Sequence, residues 1–393
     1  MCAITINSKI KNNCFWVGLI AAFGSIPNSA HAKNTSYFGI KEVFLYDTNP
    51  NMSVNNSESI FGLASKLSFV LDRETPTSNF ISDISVTQNN FDESDYNSTD
   101  VLLSANYKKQ LLQWRYGIDG LARYDTTRSE DLSNVDVSNQ SDRRLTLGLS
   151  PYISYNLSPL TQISLNTNWQ SVTYDNDNLV DYNVVTSTPV INHTPHPLHN
   201  IYASLKTRHY ETTDNNNRSV NSVGPYFGWD YNFNSKFTLA IFGGVLASKL
   251  DGYSNQDDGW QINPIYSTRL HYKGEQNNTL LDISRSREAY TNGAEYDQTQ
   301  FRFENIFSIN PLWSFDTKLS YKNIESSQIL GNDLDSVFEE YMALNYNPAE
   351  QWGITLSQQY RHDELESGSQ ANRNIIKLGL KYNFGGARGK VRN

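Results

Sequence analysis

The stretch from Asn374 to Phe384, NIIKLGLKYNF, alternates strictly. Ile376, Leu378, Leu380, Tyr382 and Phe384 fall on one face, and Ile375, Lys377, Gly379, Lys381 and Asn383 on the other. Successive side chains of a strand point to opposite faces, so this is a strand with one apolar and one largely polar face. Alternating segments recur from Ser36 onward, each about ten residues long, the length of a tilted strand that crosses a bilayer. Among the clear ones are Phe61, Leu63, Leu67, Phe69 and Leu71; then Trp114, Tyr116, Ile118, Gly120, Ala122 and Tyr124; then Trp260, Ile262, Tyr266, Leu270 and Tyr272. Tyr37 to Tyr46 and Thr279 to Arg287 are weaker, and the face holding Phe338, Met342, Leu344 and Tyr346 also holds Glu340.

The connections sort into two kinds that alternate along the chain. Short turns are expected at Lys108–Gln110, Leu157–Leu160, Asn232–Ser235, Lys273–Asn277, Asn310–Leu312 and Asn347–Glu350. Several hold Pro, Gly or Asn, which set turn dihedrals. Longer stretches rich in Asn, Asp and Ser lie between them: Thr126–Ser141, Asp251–Asp258, Asn292–Asp297, Glu325–Asp335 and Asp363–Gln370. Strict alternation of short periplasmic turn and long outer loop is the habit of transmembrane barrels. The pattern therefore predicts an all-β chain: a transmembrane antiparallel up-and-down β-barrel of about 18 strands, or about 16 if the weak ends are misread. Its last strand must pair with its first, because an open sheet edge in lipid leaves backbone groups unsatisfied. An aromatic-terminated last strand of this kind resembles the signal read by the barrel assembly machinery, the expected partner of residues 374–384. Outer-membrane lipid and lipopolysaccharide are the expected surroundings.

Composition fits that picture. The 393 residues include 24 Tyr, 18 Phe and 7 Trp beside 3 Met, as expected where aromatic girdles mark two interfaces. No run of 18 apolar residues exists to make a transmembrane helix. The first 32 residues read as a secretory signal peptide: Lys9 and Lys11, the apolar core Cys14 to Phe23, and Ala30-His31-Ala32 as cleavage site. Three segments follow: 1–32 as signal, 33–384 as barrel, and 385–393 as a basic periplasmic tail carrying Arg388, Lys390 and Arg392. The tail reads as unstructured or as a contact with peptidoglycan or a periplasmic partner. Both cysteines, Cys2 and Cys14, fall in the signal, so no disulfide or cysteine-bound metal is expected in the barrel. Loss of its two lysines takes the formal net charge from −9 to −11, which argues against nucleic acid as a partner.

The opening GIKEVFLYDTNPN, the SESIFGLASKLSFVL strand after it, and Tyr46-Asp47-Thr48-Asn49 resemble the start of the β-barrel porin type 2 proteins. Those include barrels associated with exosortase (PEP-CTERM) and exopolysaccharide gene clusters. Leu147-Gly148-Leu149-Ser150-Pro151 and the turn Leu157-Ser158-Pro159-Leu160 are similar to that family too. The resemblance implies a role in moving or anchoring a surface polysaccharide, with export components as partners, and no catalytic residues.

Candidate chemistry lies on the faces opposite the apolar sets. Those faces hold Arg115, Asp119 and Arg123; Lys206 and Arg208; Arg269 and His271; Arg302 and Glu304; Asp316, Lys318 and Lys322; Arg361; Lys377 and Lys381. The expected substrate path is Arg115, Arg123, Lys206, Arg208, Arg269, Arg302, Glu304, Lys318, Arg361 and Lys377. Basic side chains in a lumen favour anions, although such charges also merely solvate a water-filled bore. Tyr152 and Tyr202 share the inward face and offer rings to sugars. The acids are expected in the loops: Asp92, Glu93, Asp95, Asp100, Glu130, Asp131, Asp136, Asp257, Asp258, Asp333, Asp335, Asp363, Glu364 and Glu366. His193, His196 and His199 lie in one connection, but two prolines and an irregular spacing suit a turn better than a metal site. G-x-S-x-G, H-E-x-x-H and G-x-x-x-x-G-K-[ST] are absent. His209 with Asp214, or His362 with Asp363, are the nearest approach to a catalytic rim pair. No catalytic residue, metal or cofactor is expected. The sequence favours an export pore for extracellular polysaccharide, with an uptake porin, a non-conducting adhesive barrel and a rim enzyme as alternatives.

Overall fold

The structure is a computed structural model that describes residues 33–55, 57–127, 142–213, 218–252, 259–289, 295–326 and 334–384. The expected signal (1–32) and basic tail (385–393) lie outside the described residues. Eighteen strands follow one another: β1 Lys33–Asp47, β2 Ile60–Glu74, β3 Ser78–Phe91, β4 Ser98–Gln110, β5 Trp114–Thr126, β6 Arg143–Asn156, β7 Thr161–Tyr174, β8 Tyr182–His196 and β9 His199–Thr212. The second half runs β10 Ser219–Asn232, β11 Phe237–Asp251, β12 Trp260–Lys273, β13 Asn277–Ala289, β14 Glu295–Ser308, β15 Trp313–Ser326, β16 Leu334–Ala349, β17 Trp352–Leu365 and β18 Gln370–Phe384. Each pairs antiparallel with the next, and β1 pairs with β18 from Phe38↔Phe384 to Asp47↔Ile375. The sheet is closed, as the last strand's pattern requires.

The apolar faces point outward. Leu67 and Phe69 on β2, Ile201 and Leu205 on β9, Phe227 on β10, Ile262 on β12, and Leu378 and Leu380 on β18 are all exposed, although they occupy mid-strand positions. A belt of this kind is stable only against lipid. At the short-turn end of the barrel the belt closes in aromatic rings opposed across strand pairs. Trp114 meets Tyr155 with centroids 4.6 Å apart, Phe237 meets Tyr272 at 4.5 Å, Trp313 meets Tyr346 at 4.4 Å, and Trp352 meets Tyr382 at 4.6 Å. Amphipathic rings settle at the membrane–water boundary, so this girdle marks the periplasmic rim. The carboxylates of Glu340 and Glu42 fall among the outward apolar residues. Glu340 on β16 stands opposite Leu319 and Tyr360, and Glu42 on β1 stands opposite Leu380 and accepts a 2.5 Å bond from the Ser65 hydroxyl.

Strand lengths and several turn positions differ from the sequence reading. The strands run 13–16 residues, longer than the bilayer needs, because they continue outward beyond the lipid. On β17 the outward set Trp352, Ile354 and Leu356 gives way to Gln358, Tyr360 and His362, which bond Asn374 and Asn372 of β18. Polar residues on both faces erase the alternation there, so the expected loop Asp363–Gln370 is only a 366–369 turn. For the same reason Lys108–Gln110 closes β4, Asn347 to Ala349 close β16, and Glu325 and Asp297 lie in strands.

Four prolines interrupt the ladders in one consistent way. Pro151 pairs with Ile118 of β5, Pro189 with Leu165 of β7, Pro225 with Leu205 of β9, and Pro264 with Val245 of β11. Each breaks the ladder to the following strand instead. Proline has no N–H to donate, so a rung is lost on one side. On β6, β8 and β10 the pairing resumes beyond the break. At Pro225 glycine closes the gap: a Cβ on Gly224 would overlap the Val245 carbonyl, and one on Gly244 the Pro225 carbonyl. On β12 the described pairing with β13 ends at Tyr266↔Arg285.

The β1–β18 closure is locked above its ladder by the Tyr46-Asp47-Thr48-Asn49 element. Arg373 on β18 donates Nη2 to the Asp47 carboxylate at 2.5 Å, and Asp47 is 2% exposed. The Asn49 amide donates to the Ser53 and Asn372 carbonyls, and Thr48 and Asn374 exchange two further bonds. Removing one partner of a buried pair strands the other charge, at a cost of about 3 kcal/mol. Arg373→Ala is therefore expected to lower the urea midpoint of the refolded barrel, followed by heat-modifiable gel mobility. Asp47→Asn, which keeps hydrogen-bonding capacity, is expected to cost less.

Candidate functional site

The inward faces form a lumen whose charges are arranged differently on two arcs of the wall. On the β12–β17 arc, register sets opposite charges beside one another. Arg361 of β17 faces Glu339 of β16, and Ser320 of β15 separates Glu339 from Arg302 of β14. Arg302 faces Asp282 of β13, and Asp282 faces Arg269 of β12. Arg269 Nε donates to Asp282 at 3.0 Å. Glu339 lies 3.5 Å from Lys322 Nζ and 3.8 Å from Arg361, whose Nε donates to Asp363 at 2.7 Å. All four of these side chains are buried. Above them Tyr296, Ile324, Leu334 and Val337 make an apolar cluster near the outer ends of β14–β16. This arc is a neutralised and partly filled wall.

The β18–β1–β2 arc is different. Lys41 on β1 lies directly opposite Lys381 of β18 on one side and Lys66 of β2 on the other. Directly opposed residues bring their Cβ atoms within about 5 Å, so three lysines stand on one rung. Among the described residues, neither Lys66 nor Lys381 has an acidic partner within ion-pair distance. Beside this row opens a lumen cavity of about 480 Å³, whose lining includes Lys41, Lys66, Arg123, Lys377, Thr87 and Asn89. Asp100 and Asp125 line it too, each held by an arginine: Arg143 at 2.7 Å and Arg144 at 2.9 Å. A second cavity of about 460 Å³ is lined by Arg269, His271, Arg302 and Glu304.

Every residue expected on the substrate path lies on the inward side, and the structure divides them. Arg123 and Lys377 share the first cavity; Arg269, Arg302 and Glu304 share the second. Lys318 is exposed beside the Tyr341 ring, 5.9 Å from its centroid. Arg115 is exposed near the start of β5, toward the periplasmic mouth. Arg361 is locked in the Glu339–Asp363 network, and Lys206 and Arg208 stand higher, where Glu288 of β13 acts on both. Tyr152 lies against Gly117 and Tyr202 against Gly228, positions where a Cβ would strike the ring. Both rings are therefore seated on the wall. Lys41 and Lys66 were missed. Lys66 was readable between Ala64 and Ser68 on the polar face of a clear strand, whereas Lys41 sits on the weakest one.

Several other expectations are corrected. Asp100, Asp335, Asp363 and Glu364 belong to strands, not loops, and Asp363 is a buried ion-pair partner. Asp92, Glu93 and Asp95 do lie between β3 and β4, and Glu366 lies in the β17–β18 turn. Glu130, Asp131, Asp136, Asp257, Asp258 and Asp333 lie outside the described residues. His362 and Asp363 are neighbours on β17 and so point to opposite sides: His362 bonds Asn372 outside, and Asp363 binds Arg361 inside. His209 bonds Asn221 and Glu211, and Asp214 lies outside the described residues. The histidine connection is mostly strand. His199 stacks on Tyr231 at 4.8 Å and accepts a bond from the Trp229 indole N–H, as part of the periplasmic girdle.

No protein-family model matches the chain, and no curated protein does. Solved structures do match. The outer membrane protein OpdK of Pseudomonas aeruginosa superposes with a TM-score of 0.50 at 9% identity, over 90% of this chain and 98% of that one. OccK2 (OpdF) of Pseudomonas aeruginosa, solved in complex with glucuronate, gives 0.50 at 12% identity with the same coverage. The outer membrane channel DcaP of Acinetobacter baumannii gives 0.44 at 12% identity over 91% and 99%. With its closed sheet, lipid-facing belt and aromatic rim, the chain is an 18-stranded antiparallel β-barrel of the bacterial outer membrane.

Proposed function

We propose that the barrel is a passive channel for small polar solutes and that it favours anions, carboxylates in particular. The observation that carries this reading is the rung Lys66–Lys41–Lys381 beside the basic cavity. Like charges placed directly opposite destabilise a sheet pair. An anion standing over the rung relieves that repulsion. The solute passes between this arc and the neutralised arc by diffusion, with no covalent step and no cofactor. The ordered, buried side chains on the β14–β17 wall favour small solutes over a threaded polymer, which supports uptake over polysaccharide export. Glucuronate, the ligand crystallised with OccK2, is a suitable probe: one carboxylate on a polar ring.

The test is planar-bilayer recording of the refolded barrel under a KCl gradient. The reversal potential is expected to show chloride preferred over potassium, and glucuronate is expected to reduce the chloride current. Each lysine contributes on the order of 1 kcal/mol at about 4 Å in a water-filled bore. The triple variant Lys41→Gln, Lys66→Gln, Lys381→Gln is therefore expected to lower the anion preference roughly fivefold or more. A correctly folded barrel that is silent, or one whose selectivity ignores the triple substitution, would overturn the reading. Arg361→Gln removes a charge that is already neutralised. It is expected to leave selectivity nearly unchanged while lowering stability by about 3 kcal/mol, read from the urea midpoint.

A further inference from the structure

We infer that the second lumen cavity, in the periplasmic half of the bore, is a binding site for a zwitterion: an α-amino acid with an aliphatic side chain. The inference rests on the channel reading only in that solutes must reach the bore. The cavity, of about 460 Å³, is built on two neighbouring rungs of the wall. The upper rung sets Arg269, Asp282 and Arg302 side by side on β12, β13 and β14. The lower rung sets Leu280 of β13 directly beside Glu304 of β14.

The two cations and two anions sum to zero, yet they are not all closed on one another. Asp282 is buried, and its carboxylate accepts from Arg269 Nε at 3.0 Å and from the Ser267 hydroxyl at 3.4 Å, both on β12. Arg302, on the other side of Asp282, is left with a buried Nε that has no hydrogen-bond partner. Glu304 stands 3.9 Å from that Nε, beyond hydrogen-bond reach. Lys318, which faces Glu304 from β15, lies by the Tyr341 ring and makes no ion pair with Glu304 among the described residues. His271, at the other edge of the cavity, is 2.7 Å from the Asn278 side chain.

Arg302 and Glu304 are thus a half-buried cation and anion on one strand face, close to each other but unbonded. A simple anion is drawn to Arg302 and repelled by Glu304; a simple cation meets the reverse. A solute that carries both charges on one carbon satisfies both groups at once. Its carboxylate takes the guanidinium fork, and its ammonium donates to Glu304. The rest of the cavity specifies the body of the solute. Leu280 lies beside Glu304, and Ile306 follows Glu304 on the same inward face toward the periplasm. Ile306 is 36% exposed, and on that face its exposure is to the bore, not to lipid. An aliphatic side chain laid over Leu280 and Ile306 removes this apolar surface from water. The lysine rung across the bore has no such acid beside Lys66 or Lys381 and no need of an ammonium, so the two sites sort solutes differently.

The test reads binding, by saturation-transfer NMR on the protein in detergent micelles, with the signal of protein-free micelles subtracted. Three probes share one skeleton: L-leucine, 4-methylpentanoate, which lacks the ammonium, and 3-methylbutylamine, which lacks the carboxylate. L-leucine is expected to bind roughly fivefold or more tightly than either. Glu304→Gln is expected to abolish its advantage over 4-methylpentanoate, and Arg302→Gln its advantage over the amine. The triple lysine variant is expected to leave leucine affinity unchanged. Heat-modifiable mobility reports that each variant is folded, and the comparison of the three probes on the unaltered barrel needs no variant. Leucine transfer no greater than in empty micelles, equal affinity for the three probes, or a preference indifferent to both substitutions would each overturn the site. Binding in micelles does not depend on conduction. A silent barrel that still prefers leucine removes the channel reading alone, and an anion-selective barrel without leucine preference removes this site alone.

Discussion

Hydrocarbon offers no hydrogen bonds, and that single fact governs this chain. Every backbone N–H and C=O within the belt must find a partner in the sheet, so the sheet has to close. The closure joins residues more than 320 positions apart: Arg373 to Asp47, Asn49 to the Asn372 carbonyl, Asn374 to Thr48. Such a contact carries a large ordering cost and forms only when the intervening strands are in register. The polar clasp above the β1–β18 ladder fixes that register at the point where a one-residue slip would turn Ile376, Leu378 and Leu380 into the lumen. Everything else, from the aromatic rim to the lysine rung, inherits its place from this seam.

With the outside committed to lipid, the inside carries all the chemistry. There the barrel uses one residue inventory in two ways. Where register alternates sign, as along Arg361, Glu339, Arg302, Asp282 and Arg269, the charges satisfy one another and the wall is rigid and filled. Where register repeats sign, as along Lys66, Lys41 and Lys381, like charges stand on one rung. The distinction lies in which side chains stand opposite which.

That distinction explains what the sequence could disclose. Alternation depends on one strand at a time, so the faces, the short turns at 157–160 and 310–312, the strand number and the closing pair were legible from residues such as Ile376 to Phe384. The outer thirds of the strands were not, because Gln358, Tyr360, His362 and Asp363 are polar on both faces and look like loop. The ten inward residues were legible as inward, but not as neighbours. Arg361 looked like a free cation and is bound to Asp363, whereas Lys66 went unnoticed and stands in the rung. Register between strands is a pairwise property and leaves no mark in either strand alone. Proline is the exception, since Pro151, Pro189, Pro225 and Pro264 each announce a missing rung to whoever knows the neighbouring strand.

Those prolines carry a mechanical meaning. All four fall on alternate strands of one stretch of wall, β6 to β12, and each weakens the ladder on the same side. Elsewhere in the strands a proline stands only near a strand's periplasmic end, as Pro348 does at the end of β16. A tube built this way is not equally stiff in all directions. It flexes where rungs are missing, as a cylinder with a row of slits bends toward its slit side. Lateral pressure from the bilayer, which changes with lipid packing and temperature, therefore deforms the β6–β13 sector before the lysine-bearing sector opposite. The lysine rung sits on the opposite side of the barrel, away from the four missing rungs.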